Sequence, residues 1–290
     1  MGPSKTSLLL ALRRVLAALV EFPKLGVGVA VLLTLIVLAG LASVLVPYDP
    51  TSMMRVPPDL PPSSQHLLGT DTLGRDVAAQ LIHSIRQSLM IGAMAGSIGT
   101  LIGIVVGFMA GYKGGLVDSG LRTLIDVFLV IPMWPLMVVI ASYVQFLTVP
   151  VMAGLLAAFS WPWPARAMRA QVMSLGQREF VNLAKLTNLN SFEIAFQEIM
   201  PNMLSYIGAN FANAVAGAMM AEVGLEIIGL GPQNTTTLGL MLYWAMWRGA
   251  LVRGITWWVF PPIVVLISVF ISLHLINMGL DEVYNPRLRR

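Results

Sequence analysis

The residues best placed to do chemistry are polar side chains inside a strongly apolar stretch of sequence. Glu222 and Glu226 lie four residues apart and therefore share one face of a helix. Charge is costly to place in an apolar environment, so both carboxylates are candidates for lining a solute pathway. Asn210 and Asn213 precede them in the same stretch and either line that pathway or bond to a neighbouring helix.

Other charges near apolar segments have a simpler structural interpretation. Three of them share one helical face at four-residue spacing: Asp118, Arg122 and Asp126. This spacing predicts an ion ladder within one helix, satisfied by its own members. Glu226 equally fits an ion pair with Arg248, with Arg253 or with a partner subunit, as an alternative to tuning the outer mouth of a pathway.

Several kinds of site are not supported by the sequence. His66, His83 and His274 are too few and too dispersed for a metal site, which needs several converging donors. There is no cysteine, hence no disulfide framework or thiolate metal site. No GxxxxGK[ST] pattern occurs, so the chain is not expected to cradle ATP phosphates or to act as an enzyme. Its basic residues are scattered singly, which argues against nucleic acid.

Composition places these residues in a membrane. Hydrophobic residues make up 57% of the 290-residue chain and charged residues only 11%, against about 25% charged in soluble domains. A bilayer core of about 30 Å needs roughly 20 apolar residues in a helix. Six segments meet this length: 25–46, 88–112, 123–146, 149–172, 203–228 and 256–280. We therefore predict an all-α integral membrane protein with six transmembrane helices, contacting lipid.

The distribution of basic residues predicts the orientation of the chain. With the N-terminus inside, 13 of the 18 Lys and Arg residues fall on the cytosolic side and 5 fall outside. This agrees with the positive-inside rule. Both termini are thus expected in the cytosol, and residues 1–24 are expected to form an interfacial helix on the cytosolic membrane surface.

A long outer loop, 47–87, follows the first predicted span. Its beginning is rich in proline, which favours extended chain. It then reaches "GTDTLGRD", where two glycines permit tight turns and two aspartates can cap local backbone donors. The residues of this predicted ordered turn are Gly69, Asp71, Gly74, Arg75 and Asp76. The apolar face after the turn predicts a separate interfacial helix before the core at 88–290.

A second long loop, about 173–202, faces the predicted cytosol. Four of its residues follow the i, i+3, i+4, i+7 pattern of an amphipathic helix: Phe192, Ala195, Phe196 and Ile199. Asn190 and Glu193 make a plausible N-terminal cap. Another one-sided turn lies upstream, at Phe180, Leu183 and Ala184. Such short helices are marginal alone and need a surface, which is either a partner or the chain's own helical bundle.

Several motifs together resemble a known family. They are "GTDTLGRDV", "GYKGGLVDSGLRTLIDVFLVIP", "WPWPARAMRAQVMSLGQREFV", "AEVGLEIIGLG" and "NPRLRR". In this order, from about residue 66 to the end, the chain resembles the second, C-type permease subunit of dipeptide, oligopeptide and nickel-type ABC importers. The resemblance implies the type I importer permease fold and a prokaryotic inner membrane. It also implies a homologous permease, two ATPase subunits that bind ATP and Mg, and an extracytoplasmic substrate-binding protein.

The resemblance also assigns a role to the cytosolic loop, which in the family carries a motif that docks on the ATPase. The residues that correspond to this coupling segment are Glu179, Phe180, Asn182, Leu183, Ala184, Asn188, Phe192, Phe196 and Pro201. Asn182 lacks the usual carboxylate and Asn188 the usual glycine. The resemblance covers Glu222, whereas Glu226 stands where a small polar residue is expected.

The sequence thus predicts half of a translocation pathway, coupled to partner ATPases. Peptides are the commonest cargo that the resemblance implies, while oligosaccharides, opines and nickel stay open. Two other classes are a stand-alone secondary transporter, which would show internal repeats and broken helices around a midplane site, and a membrane scaffold.

Overall fold

A computed structural model describes residues 17, 19–42, 46, 49–186, 189–190 and 193–284, and the regular elements in these ranges are all helical. The α-helices are α1 (Pro23–Gly40), α2 (Val77–Lys113), α3 (Gly115–Val130), α4 (Met133–Tyr143), α5 (Val149–Ser160), α6 (Pro162–Leu175), α7 (Glu179–Leu186), α8 (Leu204–Ile227), α9 (Leu238–Trp247) and α10 (Thr256–Tyr284). A π-helical turn, Ile194–Ile199, and a 3-10 turn, Met200–Met203, precede α8. Most of the predicted N-terminal interfacial helix lies outside the described residues.

The described helices include several that can cross a membrane. By length and hydropathy these are α1, α2 and α10, and α3 with α4 makes a fourth if the bent pair is one span. Helix α8 has 24 residues, but its asparagine and glutamate side chains lower its hydropathy. The all-helical membrane architecture is therefore confirmed, whereas the count of six spans stays a prediction.

Helix α2 begins earlier than the sequence suggested. The residues predicted as a separate interfacial helix form its first turns, continuous with the apolar part that was predicted as the span 88–112. Asp76 is the N-cap, and its carboxylate accepts from the backbone N–H of Ala79 at 2.8 Å. The prediction of a separate helix was wrong. Hydropathy shows where a helix becomes apolar, but the helical hydrogen bonds of the backbone continue until a residue interrupts them.

Two predicted spans are broken at prolines. The predicted span 123–146 consists of α3 and α4, which bend by 78° at Pro132. The predicted span 149–172 consists of α5 and α6, which meet at Trp161 before Pro162. Ile131 is extended, with ψ of 129°, because a proline disfavours α-helical backbone at the residue before it. Trp161 keeps helical backbone, so the second break follows from the N–H that Pro162 cannot offer to the ladder. Hydropathy alone does not register these breaks.

Glycines set the distance between α2 and its neighbours. A Cβ atom at Gly103 would lie 2.5 Å from the Cβ of Pro164, and one at Gly107 would lie 2.5 Å from the Cβ of Met168. Helix α6 therefore packs directly on the α2 backbone, as small residues allow between membrane helices. This close packing fixes α6, and with it the segment that follows, relative to the centre of the bundle.

Candidate functional site

A cavity of about 490 Å³ opens between α4, α5, α6 and α8. Its wall is mainly apolar and aromatic, with Trp134, Phe159 and Trp163 among the lining residues. Asn210 and Asn213 of α8 also line it. The structure thus brings the two asparagines that were candidates for a pathway to one concave surface.

The two asparagines contribute different groups to the cavity. The side-chain amide of Asn210 donates to the carbonyl of Tyr206 one turn earlier at 2.8 Å, which leaves its side-chain oxygen available. Asn213 is exposed. An apolar wall with a few convergent amide groups suits a solute that has both apolar and hydrogen-bonding parts.

Glu222 and Glu226 are on the same helix but do not line this cavity. Both are fully buried, where α8 packs on α2 and on the start of α9. The predicted ion pairs with Arg248 and Arg253 are absent. Arg248 lies 5.0 Å over the ring of Trp247, and Arg253 pairs with Asp59 in the loop before α2. Whether a side chain of α8 is buried depends on which helices pack around it. The spacing of residues in the sequence does not show this.

The predicted ion ladder is also rearranged. Arg169 of α6 donates from Nε and Nη2 to the carboxylate of Asp118 at 2.5 and 2.6 Å. Arg166 donates to Asp126 at 2.5 Å, while Arg122 lies farther from Asp126, at 3.7 Å. The ladder within one helix was therefore wrong in its main contacts, because α6 supplies arginines with better geometry. These ion pairs tie α3 to α6.

The outer turn predicted from "GTDTLGRD" is ordered by its own polar groups. Gly69 and Gly74 have positive φ, +67° and +66°, a conformation that costs glycine little. The Asp71 carboxylate accepts from the backbone N–H of Arg75 at 2.8 Å and from its Nε at 2.7 Å. Gln80 also donates to Asp71, at 3.0 Å. The turn is thereby fixed to the start of α2.

Sequence reasoning missed two residues that hold this turn. His66 is buried, and its Nδ1 lies 2.7 Å from the carboxylate of Asp76. Trp257, at the start of α10, donates from its ring N–H to the carbonyl of Thr70 at 3.2 Å. The histidine could have been suspected from its position between prolines and the turn, whereas the tryptophan lies too far along the chain for any local signal.

In the coupling segment, two pieces pack on the bundle. In α7, Val181 and Ala184 are buried, whereas Glu179, Asn182 and Leu183 are exposed and Phe180 is half-buried. Their buried neighbours come from α2, α6 and the π-helical turn: Phe108, Met168, Val172, Ile194, Ala195 and Ile199. Asn188 and Phe192 lie outside the described residues. The buried side of the segment thus belongs to the chain's own core.

The predicted cap after the loop is present, but the element that follows is not an α-helix. The backbone N–H of Asn190 donates to Glu193 Oε2 at 2.7 Å, and the N–H of Glu193 donates to Asn190 Oδ1 at 2.9 Å. This is a reciprocal capping arrangement. The next residues form a π-helical turn, whose wider spacing turns Phe196 away from the buried Ala195 and Ile199.

Several apolar side chains of this segment are exposed, on the side that does not pack on the bundle. Leu183 is 63% exposed, Leu186 82% and Phe196 42%, the last with its ring 6.3 Å from that of Phe108. Pro201 is exposed as well. We call Leu183, Leu186 and Phe196 the coupling surface. A solvated loop would favour polar side chains at these positions.

Comparison with known proteins places these features in a family. A family model described as "binding-protein-dependent transport system inner membrane component" matches residues 103–290, which include the cavity and the coupling surface. The chain is 31% identical over 237 residues to the oligopeptide transport system permease protein OppC of Mycobacterium tuberculosis, covering 79% of this chain and 78% of that protein. It is 32% identical over 267 residues to the dipeptide transport system permease protein DppC of Bacillus subtilis, covering 91% and 82%. With DppC of Haemophilus influenzae the identity is 29% over 274 residues, covering 91% and 90%.

Proposed function

The chain belongs to the family of binding-protein-dependent transport system inner membrane components, and on that premise we propose that it is a permease subunit of an ATP-driven peptide importer. The names of the relatives, oligopeptide and dipeptide transport proteins, support peptides over oligosaccharides or nickel. The observation that carries the coupling part of the proposal is the coupling surface, which presents apolar side chains on a segment already packed on the bundle.

The cavity beside α8 is proposed as part of the translocation pathway. Its aromatic and aliphatic wall accepts varied side chains without selecting one, while Asn210 and Asn213 can exchange hydrogen bonds with peptide groups. A pathway that must release its solute is better served by a few weak polar contacts than by a charged, tight site. Glu222 and Glu226 are not part of this proposed pathway.

The partners follow from the family. We infer a homologous permease that completes the pathway, two ATPase subunits that bind ATP and Mg, and an extracytoplasmic protein that delivers the peptide. In this arrangement both termini and the coupling segment face the cytosol. The chain itself is not an enzyme. Its contribution is mechanical, because closure of the ATPases would move the coupling segment as a rigid body.

Packing gives that movement a route into the bundle. The coupling segment shares one apolar core with α2 and α6, and α6 is held against the α2 backbone and tied to α3 by ion pairs. A displacement of the coupling surface therefore shifts α6. Because α6 also lines the cavity, the same displacement changes access to it.

Replacement of Leu183 by aspartate tests this proposal. Burial of a leucine side chain contributes about 1.5–3 kcal/mol, and each 1.4 kcal/mol is about tenfold in affinity. Leu183→Asp should thus weaken ATPase association by about ten- to a hundredfold and abolish ATP-driven peptide uptake in proteoliposomes. The matched control Leu183→Met keeps an apolar side chain and should retain both. Normal uptake by Leu183→Asp, at equal membrane insertion, would exclude this docking role.

A further inference from the structure

Glu222 and Glu226 form a buried carboxyl pair that the proposed transport mechanism does not use. Each residue is 0% exposed. All four carboxyl oxygens are buried and lack a hydrogen bond of normal geometry. An ionised carboxylate without a partner is among the costliest groups to bury, so the charge of this pair has to be neutralised.

No basic side chain of the described chain neutralises it. The side chains that lie beside the pair are uncharged: Ser88 of α2 beside Glu222, and Thr237, the N-cap of α9, beside Glu226. Most charged groups of the neighbouring elements are already paired with each other: Arg75 with Asp71, Asp76 with His66, Arg166 with Asp126, Arg169 with Asp118 and Arg253 with Asp59. Arg86 is exposed on the surface, and Arg248 lies over the ring of Trp247. Of the other titratable residues, Tyr243 contacts the turn at Gly229. His274, Asp281 and Glu282 belong to the later part of α10, which lies beside the first half of α8, as the bond from Asn277 to Ala209 shows.

The surroundings of the two carboxyls differ. The neighbour of Glu222 is the hydroxyl of Ser88, whose oxygen already accepts from the backbone N–H of Leu238 at 3.1 Å. Glu226 lies beside the hydroxyl of Thr237 and the backbone N–H groups of Gly239 and Leu240. A Cβ atom at Gly239 would lie 2.4 Å from Glu226 Oε2, so this carboxyl lies directly against the first turn of α9.

This difference does not allow either carboxyl to carry a charge. In the first turn of α9, the N–H of Leu238 donates to Ser88 and the N–H of Leu240 donates to Thr237 Oγ1 at 3.3 Å, so these groups are already engaged. Two carboxylates one helical turn apart also repel each other, so ionising one favours the neutral form of the other. Burial and mutual repulsion thus both favour protonated carboxyl groups.

We propose that Glu222 and Glu226 are a proton-binding site, in which both carboxyl groups are protonated at neutral pH and are therefore buried without a charge. The site goes beyond the transport role and does not depend on the identity of the cargo. Loss of the protons would place two negative charges beneath α9 and loosen its packing on α8.

Infrared difference spectroscopy on the purified membrane complex tests this proposal without any transport measurement. A protonated carboxyl group gives a C=O stretching band that is distinct from the carboxylate bands and shifts in D₂O. The wild-type spectrum should contain this band at neutral pH. The double variant Glu222→Gln with Glu226→Gln should abolish the band, whereas each single variant should keep part of it. The control Asp118→Asn, which removes an arginine-paired carboxylate, should leave it unchanged.

Other outcomes would overturn the proposal. Absence of the band from the wild type would mean that neither carboxyl is protonated, and stabilisation by sodium chloride but not choline chloride would then indicate a metal cation. Complete loss of the band in either single variant would show that the remaining carboxyl is ionised. A band that persists in the double variant would assign the proton to another carboxyl group. The backbone amide bands of the same spectra report whether each variant is folded. If the double variant does not fold, titration of the wild type decides, since its band should disappear in alkaline buffer. The band of Asp118→Asn should disappear over the same pH range.

Discussion

Replacing Gly107 by alanine should separate α2 from α6. The added Cβ atom would lie 2.5 Å from the Cβ of Met168, 2.7 Å from the carbonyl oxygen of Ala165 and 2.9 Å from the backbone nitrogen of Arg169. Two of these three atoms are backbone and the third is a Cβ atom, whose position the backbone fixes. None of them can rotate away, so the helices themselves must move. Overpacking of this kind costs about 1–3 kcal/mol.

The matched control is Gly154→Ala in α5, where nothing lies within 4 Å of the added atom. Both substitutions gain about 1 kcal/mol of helix propensity, so the difference between them isolates the packing cost. Soluble domains of similar size lose about 2–4 °C of melting temperature per kcal/mol.

In thermal unfolding of the purified complex, Gly107→Ala should therefore melt roughly 2–12 °C below Gly154→Ala. Equal melting temperatures would refute the conclusion that α6 rests directly on the α2 backbone. They would also remove the route by which the coupling segment is proposed to move the cavity wall.

Three further predictions concern the outer turn, the ion pairs and the cavity. Asp76→Ala removes both the cap of α2 and the partner of His66 and should destabilise the complex by about 1–2 kcal/mol, seen as a lower melting temperature than that of Asp76→Asn; identical melting would contradict it. Asp118→Arg should lower the free energy of unfolding of the complex by about 1–3 kcal/mol, and adding Arg169→Asp should restore most of the lost stability. A double variant no more stable than Asp118→Arg would show that the ion pair does not stabilise the complex. Asn213→Leu should lower peptide uptake by about tenfold, equivalent to roughly 1.4 kcal/mol, while ATPase association, measured by co-purification, stays unchanged.

Local patterns predicted the features that depend on local chemistry. The cap at Asn190 and Glu193 and the ordered turn around Asp71 were predictable because their donors and acceptors lie within a few residues of each other. The break at Pro132 was predictable in principle, since proline disfavours helical backbone at the residue before it. It was missed because hydropathy was given more weight than backbone geometry.

Features that depend on the arrangement of helices could not be predicted. Asp118 has a suitable partner within its own helix, yet its bond is to Arg169 on another element. Glu226 has two arginines downstream, yet it lies against the start of α9 instead. Spacing shows which face of a helix a side chain occupies, but which neighbour covers that face depends on contacts between distant parts of the chain.

The central claim is that this chain works as one subunit of an ATP-driven importer, and isolation from its own cells tests it most directly. The chain would be tagged, extracted in mild detergent and identified with its bound partners by mass spectrometry. The account predicts a second, homologous permease and two ATPase subunits with GxxxxGK[ST] motifs, and loss of the ATPases from Leu183→Asp. A chain that emerges alone, or only with copies of itself, would contradict it.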